Sequence, residues 1–430
     1  MKQKNKSQIF NRNITLFPIA RCLSWDYLFF YTTHFLFLTQ VKCISAANVV
    51  LIDSFYALFG IVMQVPAAFI VEWLGRKKSI VFANLLNCFY MIIVITSVNL
   101  FNLIIAEMVS SLAFGIKECA EPALLNESIS SSNKKDEIFS KVNEKGIANW
   151  YILNSITTVL AGFFYDVNPY IPISLSLTIN IIVTIISVGF IEPVHKKNAE
   201  QIAKFEQVKD LKEYFKFILK SERLKSLILF SAVAFGLTSV LTNYEVSLLE
   251  ELNLDAKYLC LIFAIIGVLS GLASKKQEDF HKKYRNRSLQ ALLFVLSLTV
   301  LLSGLLGIIA NTYISFIVLI IISFIVGNCC KSLLQILTER YLRNFANEEI
   351  DTKIFVANNF FTSVFSCLLG LIASFLLERL NTAYSMTIFG ALAVIVTYFL
   401  GIYMKTRVGL QPDKYSKEEI KYDELKAKSK

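Results

Sequence analysis

Long polar stretches are what this sequence lacks. A water-soluble chain of 430 residues needs hydrophilic surface between its apolar segments, yet charged residues fill only 18% of positions and hydrophobic ones 55%. Catalytic signatures are missing as well. There is no H-E-x-x-H, no phosphate-binding G-x-x-x-x-G-K-[ST] and no G-x-S-x-G, which removes the enzyme chemistries those motifs carry. Asp26 and Asp53 lack the matching sequence contexts of a protease dyad, so the chain is expected not to be an enzyme. The eight cysteines show no metal-ligand spacing and lie mostly in apolar runs, where a small buried hydrophobe is their ordinary role; no metal is expected. A cleavable leader is not expected either, because Lys2, Lys4, Lys6 and Arg12 precede a run too long and too aromatic for one.

What is present is apolar sequence in span-length pieces. Mean hydropathy is +0.55, and twelve runs are long enough to cross a bilayer: 14–38, 46–71, 80–98, 103–125, 147–165, 171–191, 226–248, 256–273, 289–310, 313–336, 354–377 and 383–404. The expected fold is an all-α polytopic membrane protein, with six helices in 14–191 and six in 226–404. The net charge of +10 could point to nucleic acid, but its distribution excludes that partner. About 38 of the 43 Lys and Arg fall in segments that an even number of crossings puts on the cytoplasmic side, along with both termini (1–13 and 405–430). The lipid bilayer is the partner instead. In the stretch 192–225, Ile202, Phe205, Val208, Leu211, Phe215 and Ile218 recur at helical spacing between lysines, as in an amphipathic linker on the inner leaflet. The two halves echo each other weakly: HFLFLTQVKCISAANVVLI from His34 aligns with EVSLLEELNLDAKYLCLIF from Glu245, with Ser45 and Asp255 as helix-starting caps.

Between the second and third runs lies PAAFIVEWLGRKKS, a tight basic reversal from Pro66 to Ser79. Gly75 can close one helix in a left-handed conformation, and Arg76, Lys77 and Lys78 mark the cytoplasmic side. The pattern Ala68-x-x-x-Glu72-x-x-Gly75-Arg76-Lys77 resembles the G-x-x-x-D-[RK]-x-G-R-[RK] signature of the major facilitator superfamily, with Ala68 for glycine, Glu72 for aspartate and Trp73 for a basic residue. The resemblance implies two pseudo-symmetric six-helix bundles, a cytoplasmic latch formed by Glu72, Gly75, Arg76 and Lys77, and a single chain working as a monomer. Richness in Lys, Asn, Ile and Phe with only 16 Gly and 7 Pro is associated with an AT-rich bacterial genome.

Ionisable side chains inside a bilayer are costly unless they face a polar cavity or one another. By that rule the substrate and coupling candidates are Arg21, Asp26, His34, Asp53, Glu107, Lys117, Glu121 and Glu245. Asp26 lies near the middle of the first run. Arg21 is about 140° away on an ideal helix, so each needs a partner on another helix. Lys117 and Glu121 are four apart and can neutralise each other. His34 reads as packed and hydrogen-bonded, while Glu118 and Lys331 read as snorkelling to the inner interface. Asn358 and Asn359 could bond a ligand or another helix.

Together these features predict a secondary transporter of the cytoplasmic membrane that moves a small molecule by alternating access, driven by a proton gradient and without a cofactor. Efflux of an amphiphile by proton antiport is the first expectation, and uptake of a small polar or anionic metabolite the alternative; a transporter-like receptor is the reading from another class. The arginine of proton-coupled exporters four residues before a glycine is Ser111 here, and of their G-P-x-x-G-G motif over 157–162 only Gly162 remains. Lys117 is then the candidate to replace that arginine.

Overall fold

A computed structural model describes residues 2–129, 135–193, 221–284, 287–310, 315–343 and 351–405. Most of the expected linker and the C-terminal tail lie outside them. The described residues form helices and no strands: α1 (Lys2–Ser24), α2 (Phe30–Leu36, prolonged by a π turn to Val41), α3 (Ala46–Val62), α4 (Gln64–Leu74), α5 (Arg76–Thr96), α6 (Leu100–Ser128), α7 (Lys135–Val167), α8 (Tyr170–Val188), α9 (Glu222–Glu251), α10 (Ala256–Ser274), α11 (Gln277–Tyr284), α12 (Arg287–Ala310), α13 (Phe316–Arg343), α14 (Asp351–Arg379) and α15 (Thr382–Lys405). Ten of these are long and apolar enough to cross a membrane, and α3 with α4 would make an eleventh.

Two expected runs differ in shape from straight rods. The second bends by 52° between α3 and α4. Pro66 explains it: with no N–H, proline cannot bond back to Val62, where α3 ends. The first run is broken outright. α1 stops at Ser24, the chain turns through Trp25–Phe29, and α2 starts at Phe30. Phe29 holds a positive φ of 68°, a conformation that costs a residue with a side chain roughly 1–2 kcal/mol.

The chain divides into two compact units. The first holds 1–195 together with 249–265. Its core joins Phe17 and Ala20 of α1 to Ala67 and Val71 of α4, Ile80 and Ala83 of α5, and Ile116, Ala120 and Leu124 of α6. Ser45 caps α3 as expected, its hydroxyl accepting from the Asn48 amide. Lys42 caps the far end of α5, its ammonium donating to the carbonyls of Ile95 at 2.6 Å and Ser97 at 3.0 Å. Partial burial holds the Lys42 pKa below its ordinary value. The 249–265 segment is tied in by Glu250, which accepts from Thr39 at 2.8 Å and Gln40 at 3.0 Å, and by Lys257, 3.7 Å from Asp166.

The second unit holds 196–248 and 266–430. Within it α12 and α15 meet backbone to backbone. A Cβ added at Gly304 or Gly390 would come within 2.5 Å of the Thr387 or Leu301 amide nitrogen, so only glycine permits that approach. Tyr244 bonds Ser385 at 2.8 Å and Ser247 bonds Thr382 at 2.6 Å, which fixes the rotation of α9 on α15.

Candidate functional site

The break in the first run is where the ionic side chains collect. Ending α1 at Ser24 frees its carbonyl oxygen, since no amide four residues on continues the helix. Lys117, 3% exposed on α6, donates its ammonium to that oxygen. It also lies 3.9 Å from Glu121 and 5.1 Å from the centre of the Phe114 ring. Glu121 pairs in turn with Arg21, so one carboxylate is shared by two cations. The Arg21 guanidinium stacks 4.1 Å over Trp25, and its Nε is buried without a partner. Asp26 bends back on itself, Oδ1 accepting from the Tyr27 amide at 2.7 Å, and its charge is felt at Lys117. Arg21 thus finds its partner on α6, while the Asp26 carboxylate, in the turn after α1, is bonded only to the Tyr27 amide among the described residues and reaches α6 through its charge.

A second knot sits beside the first. Tyr27 bonds Asn87 at 3.0 Å and Ser110 at 2.8 Å while its ring stacks on Tyr90 at 4.8 Å. Tyr90 donates to Glu107 at 3.2 Å, and His34 Nε2 lies 4.0 Å from the same carboxylate. Asp53 acts electrostatically on both His34 and Glu107. His34 is therefore packed, edge-on to Phe30 as expected, but faces an acid as well. Seven of the eight predicted candidates fall in this one region of the first unit. Tyr31 and Tyr56 belong to it too, within reach of the charge of Asp26. Tyr31 is 56% exposed, and the charges of Asp26 and Asp53 both act on it. Glu118 is exposed, while its charge interacts with those of Arg21 and Lys117. A separate open groove of about 750 Å³, lined by Arg12, Leu16, Ile185 and Ile191, shares none of these residues.

Glu245 stands apart, in the second unit. It is 1% exposed and accepts from Asn328 of α13 at 2.8 Å. Lys331, one turn further along α13, is electrostatically linked to it. Lys331 lies about 18 Å along the helix from Arg343, the last residue of α13. Asn358 is buried with its Oδ1 unpartnered, whereas Asn359 is exposed.

At the basic turn, Gly75 ends α4 with φ 86°, as expected. Glu72 sits on the last turn of α4, and Arg76 and Lys77 are the first two residues of α5. Two carboxylates the sequence did not single out complete the turn. Glu192 accepts from the amides of Arg76 at 2.7 Å and Lys77 at 2.8 Å, and so caps α5 from beyond the end of α8. Glu127, at the end of α6, accepts from Arg76 Nε at 3.1 Å. A Cβ on Gly75 would lie 2.9 Å from Glu192, a second reason for glycine there besides its φ.

A sequence profile described as Major Facilitator Superfamily matches residues 16–347. The chain belongs to the major facilitator superfamily. Solved structures agree on the fold. A nucleoside transporter, NupG, in a mutant form, superposes with a TM-score of 0.70 at 11% identity, covering 92% of this chain and 99% of its own. A POT family transporter in complex with 5-aminolevulinic acid gives 0.64 at 12% identity, covering 93% and 96%. A D-xylose-proton symporter gives 0.63 at 12% identity, covering 94% and 97%. No curated protein sequence matches. This superfamily member is a multi-pass membrane transporter, and a small molecule is its cargo.

Proposed function

We propose that this superfamily member carries a small polar solute across the cytoplasmic membrane by alternating access, coupled to protons. The observation that carries the reading is the broken first helix: Lys117 on the Ser24 carbonyl, with Glu121, Arg21 and Asp26 around it. Unwound backbone at membrane depth is tolerated where it lines a cavity, and discontinuous helices bring bare carbonyls and helix ends to bear on polar cargo. A lining this ionic favours a polar solute over the amphiphile first expected from the sequence. Glu107 with His34 and Tyr90 supplies a carboxylate and an imidazole that can exchange a proton next to that site. Both termini are assigned to the cytoplasm, and the protein works as a monomer with no cofactor.

Proteoliposomes with an imposed pH gradient test this. Uridine, D-xylose, 5-aminolevulinic acid and, for the amphiphile reading, ethidium serve as cargo. A polar compound should accumulate with the gradient, and Lys117→Met should abolish it. Gradient-driven movement of ethidium alone, or flux untouched by Lys117→Met, overturns the proposal.

A further inference from the structure

The second unit holds a buried charge of its own that the site above does not use. Two helices are fixed so as to present it. α9 is held on α15 through Tyr244 and Ser247, which leaves Glu245 on another face. α13 is held on α12, where Ser323 bonds both Ser303 at 2.8 Å and the Thr299 carbonyl at 3.1 Å. Asn328 and Lys331, three apart, then share the face of α13 that meets Glu245. The Asn328 amide is itself held, donating to the Phe324 carbonyl at 3.0 Å as well as to Glu245 Oε1.

This arrangement is incomplete in one particular way. Glu245 Oε2 is buried and has no hydrogen-bond partner. The Lys331 ammonium is close enough for its charge to act on Glu245, yet no ion pair or hydrogen bond holds it among the described residues. A carboxylate and an ammonium together are neutral, so a third charge here would be uncompensated in a membrane span. A bound ammonium would repel Lys331, and a bound carboxylate would repel Glu245. A hydroxyl or a primary amide satisfies both at once: its hydrogen goes to Oε2, and its oxygen accepts from Lys331.

We propose that Glu245 and Lys331, with Asn328 positioning the carboxylate, form a solute subsite for a hydroxyl or amide group of a small neutral molecule. The proposal rests on the polar-solute reading above and narrows its chemical class.

Binding to the full-length protein in detergent, by calorimetry, tests it with four probes: uridine and D-xylose as neutral hydroxylated compounds, succinate as an anion and spermidine as a cation. At least one neutral probe should bind. Lys331→Met and Glu245→Leu should each weaken it by about tenfold, as expected for a lost hydrogen bond to a charged group. The double variant Glu245→Gln/Lys331→Gln keeps the site polar and neutral overall, so it guards against misfolding, and it too should bind the neutral probe more weakly. Neutral binding that survives these changes, or binding only of succinate or spermidine, or no binding of either neutral probe, overturns the subsite. The two proposals separate cleanly. Binding without flux in proteoliposomes sinks transport and leaves the subsite; flux of an ionic cargo without neutral binding does the reverse.

Discussion

Glu121 is the residue on which the first unit's charge balance turns, because Arg21 and Lys117 both lean on it. Its side chain is 6% exposed and that of Lys117 3%, so this pair is largely removed from water, while Arg21 at 15% is less so. Removing one partner of a buried ion pair costs about 3–5 kcal/mol, and Glu121→Gln should fall near the lower end because Arg21 keeps some exposure. The check is thermal unfolding in detergent, with a midpoint several degrees lower expected. Lys117→Met should behave differently: Glu121 keeps Arg21, so stability falls less while flux is lost. Lys117→Arg should recover little, since a planar fork cannot replace a compact ammonium against the Ser24 carbonyl. Proteoliposome uptake by the two variants decides it. These residues were legible as candidates simply because charge in a span is rare. Their pairings were only half legible: Lys117 with Glu121 follows from helical spacing, whereas the ties to Ser24 and Arg21 depend on a break that no Gly or Pro announces in CLSWDYLFF.

At the scale of elements, the second run was expected as one uninterrupted span, and its bend has a local cause. Pro66 sits inside the second run, so a kink near Val62 follows from the missing N–H. Pro66→Ala should straighten that helix; a larger separation between spin labels at its two ends, measured by electron resonance, is the expected result. The cap on α5 was invisible for another reason, since its carboxylate arrives from 116 residues away. Glu192→Gln keeps the shape but loses the charge at a helix N-terminus, worth about 0.5–1 kcal/mol. Gly75→Ala should cost more, about 2 kcal/mol, because it adds backbone strain to a collision with Glu192. Chemical denaturation of both variants would rank them, and equal effects would argue against the cap geometry.

For the whole molecule, count and composition carried nearly everything. The all-helical polytopic architecture was readable from hydropathy alone, and the short basic turn placed the chain among its relatives because it falls between the second and third of twelve apolar runs. The Glu245, Asn328 and Lys331 cluster was not readable, because α9 and α13 are brought together by contacts some eighty residues apart in sequence. The ties of 249–265 within the first unit are surface pairs, with Lys257 and Asp166 about a third exposed. A double-mutant cycle between them should therefore return no more than about 1 kcal/mol, decreasing with added salt. The interruption at Trp25–Phe29 has a further use. Peptide groups inside a continuous span exchange hydrogen for deuterium extremely slowly, whereas this unwound stretch has lost the regular ladder and keeps isolated bonds such as Tyr27 N–H to Asp26 Oδ1. Mass-resolved labelling of that one peptide, followed while cargo is added, would time how often solvent reaches the heart of the bundle.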